Sequence, residues 1–478
     1  MVDPVLFILL INTVFAVVIV FSEREDPTAA LAWLLILFLL PTAGFVLYII
    51  FGRGYFRRRE FSAKAKSDRT LKQRLRDWHT PKIDHTGPLL DEELAAFQGL
   101  IAMLIRSSNA FLSEGNRIEA FAGGKEMFES FFAAIAGARH HIHIEVYIIR
   151  NDDLGRRFVE ALAAKAREGV EVRLLYDTVG SICLPRDFFD PLIAAGGKAA
   201  PFYSSFFLLL PLRINYRNHR KITVIDGAFG YIGGLNVGEE YLGRDPYFGY
   251  WRDTHLKIAG PAARLLQLRF SLDWKYATGE DLNLATEYFP EVAAPGNAAV
   301  QIVSSGPDTR GTEIKEAFLN LIGSARETIA IQTPYFIPDV SIIDALRIAA
   351  LSGVDVQVMI PDKPDHPFVY WATYSYIGNL IDAGVRFFTY NTGFLHSKAI
   401  VVDGRAVSVG STNWDVRSFR LNFETNAFIY GRETATELLR LFEEDVAHAT
   451  EITPDHYAAR PMWVKVKESV SRLLSPIL

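Results

Sequence analysis

Two short polar patterns in the 478-residue chain bring together residue types that could do chemistry. The first is His219-Arg-Lys221-Ile-Thr-Val-Ile-Asp226, followed by Gly233, Gly234 and Asn236. The second is His396-Ser-Lys398-Ala-Ile-Val-Val-Asp403, followed by Gly410, Ser411 and Asn413. A histidine and a lysine two positions apart on a β-rich run point to one face of the strand. A single match of this kind means little, but two with glycine and asparagine at identical offsets are not coincidence. Asp226 follows His219 at opposite parity and about 23 Å along an extended strand, too far to share a small site, so its spacing reads as structural. Asp226-Gly227 and Asp403-Gly404 are strong hairpin-turn dipeptides that fold the next strand back antiparallel. With an even loop count, Gly234 and Asn236 return on the His219/Lys221 face, and Ser411 and Asn413 on the His396/Lys398 face. Trp251-Arg-Asp253 and Asn422-Phe-Glu424 each place a carboxylate seven residues before a glycine, Gly260 and Gly431. Those acids are candidates to hold the imidazoles in the required tautomer.

Two such sets face to face suit a phosphodiester. One neutral imidazole attacks phosphorus and forms a covalent phosphohistidine, while the other, protonated, donates to the alkoxide that leaves. Lys221, Lys398, Asn236 and Asn413 then offset charge on the pentavalent transition state, and no metal or other cofactor is required. His141, His143 and Glu145 alternate on one strand face at a spacing a metal could use, but no further ligands are evident. Glu145 and Tyr147, with Gln332 and Tyr335 in the second copy, are placed to face the shared cleft instead.

The elements that must position these groups also come in two copies. Phe158 to Asp177 reads as an amphipathic helix, a stop at Gly169 and a β-rich strand, and Ile342 to Pro361 repeats it with Gly353 as the stop. Strands alternating with helices of this length predict mixed α/β domains with largely parallel sheets. The expected division is a first domain over residues 92–288, a Pro/Gly/Ala-rich linker over 289–298 and a second domain over 299–460.

Before them the chain is apolar. Val5 to Phe21 is uncharged, and Ala29 to Phe51 is a second apolar stretch interrupted by Pro41 and Thr42, so residues 1–52 are expected to form a two-helix transmembrane hairpin. The connection Ser22 to Asp26 is net acidic, whereas Arg53 to Asp77 carries ten Lys/Arg against three acids. By the positive-inside asymmetry the hairpin loop is outside and everything after residue 52 cytoplasmic. The basic juxtamembrane segment, 53–91, suits anionic lipid headgroups, as does the amphipathic tail over 461–478 with Lys465, Lys467 and Arg472. The run Phe206 to Leu212 reads as either a buried strand or a loop that dips into the bilayer. Half the residues are hydrophobic and 22% are charged, which argues against disorder. A net charge of -5 is the wrong balance for a nucleic-acid partner. The one cysteine, Cys183, excludes an internal disulfide framework.

On these residues the chain resembles the phospholipase D superfamily, through the paired His-x-Lys-x4-Asp motifs and their Gly-Gly-x-Asn and Gly-Ser-x-Asn extensions. Within it the N-terminal hairpin, the run Asp415-Val-Arg-Ser-Phe-Arg-Leu-Asn-Phe-Glu424 and the tail Arg472 to Leu478 are similar to bacterial cardiolipin synthases. The resemblance covers nearly the whole chain. It implies two phospholipase-D-like α/β domains in pseudo-twofold arrangement that share one active site, and phosphatidyl transfer between two phosphatidylglycerol molecules to give cardiolipin and glycerol. It implies His219 as nucleophile and His396 as acid. It also counts the motif aspartates Asp226 and Asp403 as catalytic alongside His219, Lys221, His396 and Lys398, against the turn role their spacing gives them. Asn236, Asn413, Gly234, Ser411, Asp253 and Glu424 become the substrate-binding set. The implied setting is the bacterial inner membrane, with anionic lipid as partner and self-association left open. A phospholipase D using water, or another alcohol, as acceptor shares the same chemistry. A superfamily nuclease is disfavoured by the charge balance, and a non-catalytic lipid-binding scaffold by the intact duplicated motif.

Overall fold

The helix, glycine, strand units form where capping and periodicity dictate. Asp152 caps the helix Asp153–Arg167 by accepting the Gly155 N–H at 2.8 Å, and Gly169, at φ 90°, reverses the chain into the strand Glu171–Tyr176. In the second copy Asp339 caps the helix Val340–Leu351, and Gly353, at φ 93°, leads into Asp355–Pro361. The computed structural model describes residues 4–23, 27–51, 61, 64, 68, 92–203, 216–282, 286–309, 312–473 and 475. The chain forms two compact units, one of residues 1–79, 205–216 and 307–310, the other of the remainder.

In the larger unit the first repeat contributes β1 (Ser113–Gly123), β2 (His141–Val146), β3 (Glu171–Tyr176), β4 (Lys198–Pro201), β5 (Ile222–Ile225), β6 (Phe229–Gly233) and β7 (Tyr250–Ala259). The second contributes β8 (Ala298–Ser305), β9 (Thr328–Gln332), β10 (Phe336–Ile337), β11 (Asp355–Pro361), β12 (Arg386–Tyr390), β13 (Gly393–Leu395), β14 (Ala399–Val402), β15 (Ala406–Gly410), β16 (Trp414–Asp415), β17 (Glu424–Tyr430) and β18 (Ala449–Glu451). They join in one sixteen-stranded sheet, with β10 and β16 paired separately. The order β4-β3-β2-β5-β6-β7-β1 is continued by β8-β17-β15-β14-β9-β11-β12, so the two repeats mirror each other strand for strand, with β18 added beyond β12. The mirror point is the antiparallel β1/β8 pair. Both repeats are therefore halves of one unit. They share a core in which Ile222, Val224, Leu256 and Ile258 meet Val401, Val407, Val409 and Ala427.

The sheet is less parallel than the helix–strand alternation predicts. β2, β3 and β4 run parallel, as do β9, β11 and β12. The strands that carry the motifs are antiparallel hairpins, β5/β6 and β14/β15. Crossover helices impose parallel pairing only where they intervene, and the Asp-Gly turns need none.

In the smaller unit the first apolar stretch forms α1 (Pro4–Ser22). The second, expected as one span, is divided into α2 (Pro27–Leu39) and α3 (Ala43–Phe51). Pro41 has no N–H to continue the helix, and Thr42 sits at φ 62° with its N–H on Asn12 Oδ1 at 3.0 Å. Among the described residues no helix is long and apolar enough to cross a membrane. Apart from Phe61, Lys64 and Asp68, the basic segment 53–91 lies outside the described residues, as does the Phe206 to Leu212 run. The C-terminal helix Met462–Leu473 buries Val464 and exposes Met462, Trp463, Val466, Val470 and Leu473.

Candidate active site

Each motif histidine is placed by the backbone of the opposite repeat. β13 runs parallel to β7, pairing Phe394 with Trp251 and Leu395 with Arg252, and the His396 N–H donates to the Arg252 carbonyl at 2.7 Å. Gly393 is required for that approach, because a Cβ there would stand 1.9 Å from the Tyr250 carbonyl oxygen. Asn218 makes the corresponding parallel bridge to Phe423, and the His219 N–H donates to the Phe423 carbonyl at 3.0 Å. Each histidine thus lies beside a carboxylate of the other repeat. His396 Nδ1 is 2.6 Å from Asp253 Oδ2, and His219 Nδ1 is 3.0 Å from both oxygens of Glu424. The four groups are buried.

A carboxylate on Nδ1 selects the Nδ1–H tautomer and turns the Nε2 lone pair outward. Burial pushes His219 down to about 4, the opposing charge of Glu424 notwithstanding. It pushes His396 down to about 3, with the Lys398 ammonium adding to the effect. Burial would raise the two acids, but Lys398 and His396 hold Asp253 below its usual range, and His219 and Lys221 do the same for Glu424. Both pairs are therefore neutral imidazole on carboxylate at neutral pH.

The lysines complete the set. Lys221 Nζ donates to the His219 carbonyl at 2.7 Å, and Lys398 Nζ likewise to the His396 carbonyl. Burial brings Lys221 down to about 7 and Lys398 to about 8. The charge of Lys398 bears on His219 and that of Lys221 on His396, so both motifs belong to one constellation. Such a group offers two imidazole nitrogens for nucleophilic and acid–base work and two amines for a phosphoryl anion.

The two carboxylates are supported differently. Glu424 accepts the Ser411 hydroxyl at 2.5 Å and the Asn422 amide at 3.2 Å. At the position equivalent to Ser411, Gly234 leaves room for Asp253, whose Oδ1 would lie 2.1 Å from a Cβ and instead accepts the Thr254 N–H at 2.7 Å. These contacts bind Ser411 and Gly234 to the carboxylates rather than to an exposed surface.

Other expected residues are placed elsewhere. Asp226 and Asp403, counted as catalytic, are turn residues at φ 54° and 51°. The Asp226 carboxylate accepts the N–H groups of Arg139, His140 and His141 at 2.8 to 3.0 Å. Asp403 accepts those of Arg326, Glu327 and Thr328 at 2.8 Å. Each ties a hairpin to the start of the neighbouring strand, at the opposite end of β5 or β14 from the lysine. Asp226→Ala and Asp403→Ala are expected to lower unfolding free energy by about 1–3 kcal/mol, the cost of backbone donors left unmatched, while transfer per folded molecule stays at the parent level. Denaturant unfolding alongside a specific-activity assay checks this.

The parity expectation for the asparagines also fails. Ile225 pairs with Phe229 and Val402 with Ala406 across three-residue loops, an odd count, and β6 and β15 end before either asparagine. Asn236 donates to the Tyr241 hydroxyl at 3.0 Å and accepts the Ile148 N–H at 3.2 Å. Asn413 is buried, and its Oδ1 has no hydrogen-bond partner among the described residues.

Of the residues expected to face the cleft, Tyr147 packs its ring edge-on to His219 with centroids 4.8 Å apart. Glu145 is a buried support whose Oε1 accepts from Asn218 at 2.6 Å. Gln332 bonds Asp445 at 2.7 Å, and Tyr335 donates to Asp365. His143 is held by Gln267 at 3.0 Å and approached by Arg173 at 3.2 Å. Sequence reasoning missed Asp177, whose carboxylate accepts the N–H groups of Val179, Gly180 and Asn218 and so anchors the residue before His219. It also missed Trp251, whose ring lies 5.1 Å from that of His396.

Comparison with known proteins identifies the family. The family model described as "Cardiolipin synthase, PLD-like domain" matches residues 131–246 and 318–446, and one described as "Phospholipase_D-nuclease N-terminal" matches 10–53. The chain is 47% identical over 474 residues to the major cardiolipin synthase ClsA of Bacillus subtilis, covering 98% of each chain. It is 45% identical over 472 residues to a cardiolipin synthase of Listeria innocua, again covering 98% of each. The fold is similar to that of phosphatidylserine synthase from Haemophilus influenzae, with TM-score 0.59 at 16% identity over 81% of this chain and 100% of that one. A match of this extent, together with two histidines anchored across the repeats, places the chain in the bacterial cardiolipin synthase family of the phospholipase D superfamily.

Proposed function

We propose that the protein makes cardiolipin from two phosphatidylglycerol molecules through a phosphohistidine on His219. Nε2 of His219 attacks the donor phosphorus, the phosphorus–oxygen bond to the glycerol headgroup breaks, and His396 gives its proton to that oxygen. The headgroup hydroxyl of a second phosphatidylglycerol then returns a proton to His396 and attacks phosphorus, and His219 departs. Two phosphatidylglycerols give one cardiolipin and one glycerol. Lys221 and Lys398 hold the phosphoryl oxygens as charge builds on them.

The observation that carries this reading is the crossed anchoring of the two imidazoles. Asp253 reaches His396 through a short 2.6 Å bond and suits stabilisation of an imidazolium, as an acid needs. The charge of Glu424 is shared with Ser411 and Asn422, and since burial and the lysines bring His396 lower than His219, the assignment of His219 as nucleophile rests on the family resemblance. The phosphodiester anion raises the proton affinity of both rings above the values set by burial and the lysines.

The same reading puts the N-terminal helices in the bilayer of the bacterial inner membrane and the two repeats on its cytoplasmic side. Leu10, Val14, Phe21, Leu35 and Phe38 are exposed on α1 and α2, and such a patch is stable in lipid. The test is product analysis with phosphatidylglycerol as the sole lipid. The purified chain is expected to yield cardiolipin and glycerol in equal amounts. Phosphatidic acid as the main product would make it a hydrolase.

A further inference from the structure

The helix Met462–Leu473 is an amphipathic element that the reaction does not use. Val464, Glu468 and Ser471 face inward, and Glu468, the one acid of the helix, pairs with Arg460 at 3.3 Å. Trp463, Val466, Val470 and Leu473 follow one another at spacings of three, four and three, so they form a stripe along the opposite side. With Met462 at its end, every member of that stripe is more than half exposed. The helix Pro367–Ile381, which carries no charged residue, runs alongside. Its Trp371 ring lies 6.5 Å from that of Trp463. Its Ser375 carbonyl accepts from Arg472 at 3.1 Å, and the Arg472 guanidinium lies 4.6 Å from the Tyr376 ring. Phe368, one turn before Trp371, is also more than half exposed. An apolar surface of this kind is left uncovered only where something other than water meets it.

The charges beside the stripe say what that is. Lys467 is exposed, its Nζ 4.5 Å from the Trp463 ring centroid and 5.2 Å from that of Trp371. Lys465 donates to the Ala458 carbonyl at 3.3 Å, so the partners of Lys465, Lys467 and Arg472 are carbonyls and rings that carry no charge. A second copy of the chain seated on this face would set the same three cations against themselves. An anionic lipid surface matches all three features. Its acyl region takes the stripe, its headgroup level suits the tryptophans, and its phosphates meet the ammonium groups at the ends of their apolar stems.

A series of contacts joins this face to the reaction site. The Trp251 ring lies 5.1 Å from that of His396, Phe248 lies 5.5 Å from Trp251, and Tyr247 lies 4.9 Å from Phe248. The Tyr247 hydroxyl donates to the Pro364 carbonyl at 3.2 Å, and Lys363 donates to the Tyr247 carbonyl at 3.1 Å. Pro364 is three residues before the start of the helix that carries Phe368 and Trp371.

We propose that the helices Pro367–Ile381 and Met462–Leu473 form a docking face that lies in the interface of an anionic bilayer and holds the His396 side of the site beside it. The inference rests on the membrane reading above and adds a second contact, made by the catalytic unit itself.

The test places a fluorophore on the stripe. The full chain carrying Cys183→Ser and Val470→Cys is labelled at residue 470 and reconstituted in vesicles of phosphatidylcholine and phosphatidylserine. Nitroxide-labelled lipid is expected to quench that label and to spare the same label at Glu160→Cys, an exposed position on the helix Asp153–Arg167. Turnover is then compared between phosphatidylglycerol in vesicles and short-chain phosphatidylglycerol dissolved as monomers. Val466→Glu with Val470→Glu, and separately Lys467→Glu, are expected to lower the vesicle rate by roughly 10-fold while the monomer rate stays at the parent level. Equal quenching at residues 470 and 160, or a ratio of the two rates fixed at the parent value, overturns the docking face. Energy transfer between labelled chains without lipid quenching overturns it in favour of a second copy. A parent chain that does not enter the vesicles overturns the membrane reading beneath it.

Discussion

His219→Ala and His396→Ala are each expected to reduce cardiolipin formation by at least about 10⁴-fold, since nucleophile and acid act as a unit. The two variants separate on a phosphatidyl donor whose leaving group is p-nitrophenol. That phenolate departs without a proton, so the first step no longer needs the acid. His396→Ala should then release a burst of p-nitrophenol and accumulate labelled lipid on the protein, because the base that would activate the acceptor is missing. His219→Ala should give neither burst nor label. Label on His219→Ala alone would exchange the two roles, and label on neither, with both variants inactive, would remove the covalent intermediate. Neither ring carries the fold's apolar core, so circular dichroism of both variants should match the parent.

Sequence disclosed the chemistry of this site better than its wiring. The duplicated His, Lys, Gly and Asn offsets identify two equivalent motifs, and the helix, glycine, strand units at Gly169 and Gly353 appear where periodicity and stop signals put them. The distance argument also read Asp226 and Asp403 correctly as turn residues, although the family motif groups them with the reacting side chains. Parity failed for Asn236 and Asn413 because it depends on the loop count, and a three-residue loop is not distinguishable from a two-residue one by its Asp-Gly dipeptide. No local signal could assign Asp253 to His396 or Glu424 to His219. That pairing is made by parallel backbone contacts between residues of opposite repeats, the β13/β7 pair Leu395 with Arg252 and the isolated bridge Asn218 with Phe423. Local periodicity reports which face a side chain occupies, not which distant strand is laid beside it.

The crossed wiring itself makes the second large prediction. If each carboxylate served the histidine of its own repeat, Asp253→Asn would imitate His219→Ala. The observed contacts reverse this. Asp253→Asn removes the acceptor from His396 Nδ1, and Glu424→Gln does the same to His219. An amide in place of a carboxylate permits the wrong tautomer and gives up the charge that favours imidazolium, a change that costs about 10³–10⁴-fold in comparable triads. Both variants should therefore lose cardiolipin synthesis to that extent. With the p-nitrophenol donor, Asp253→Asn should behave as His396→Ala does and accumulate the lipid adduct, because His219 still has Glu424. Glu424→Gln should fail to form the adduct at all. Combining each acid with the histidine it holds should add little to the single loss, whereas Asp253→Asn with His219→Ala should abolish the adduct that Asp253→Asn alone retains. An adduct on Glu424→Gln with none on Asp253→Asn would show that the carboxylates act within their own repeats or that the histidines have traded tasks. The His219→Ala labelling result separates those two cases.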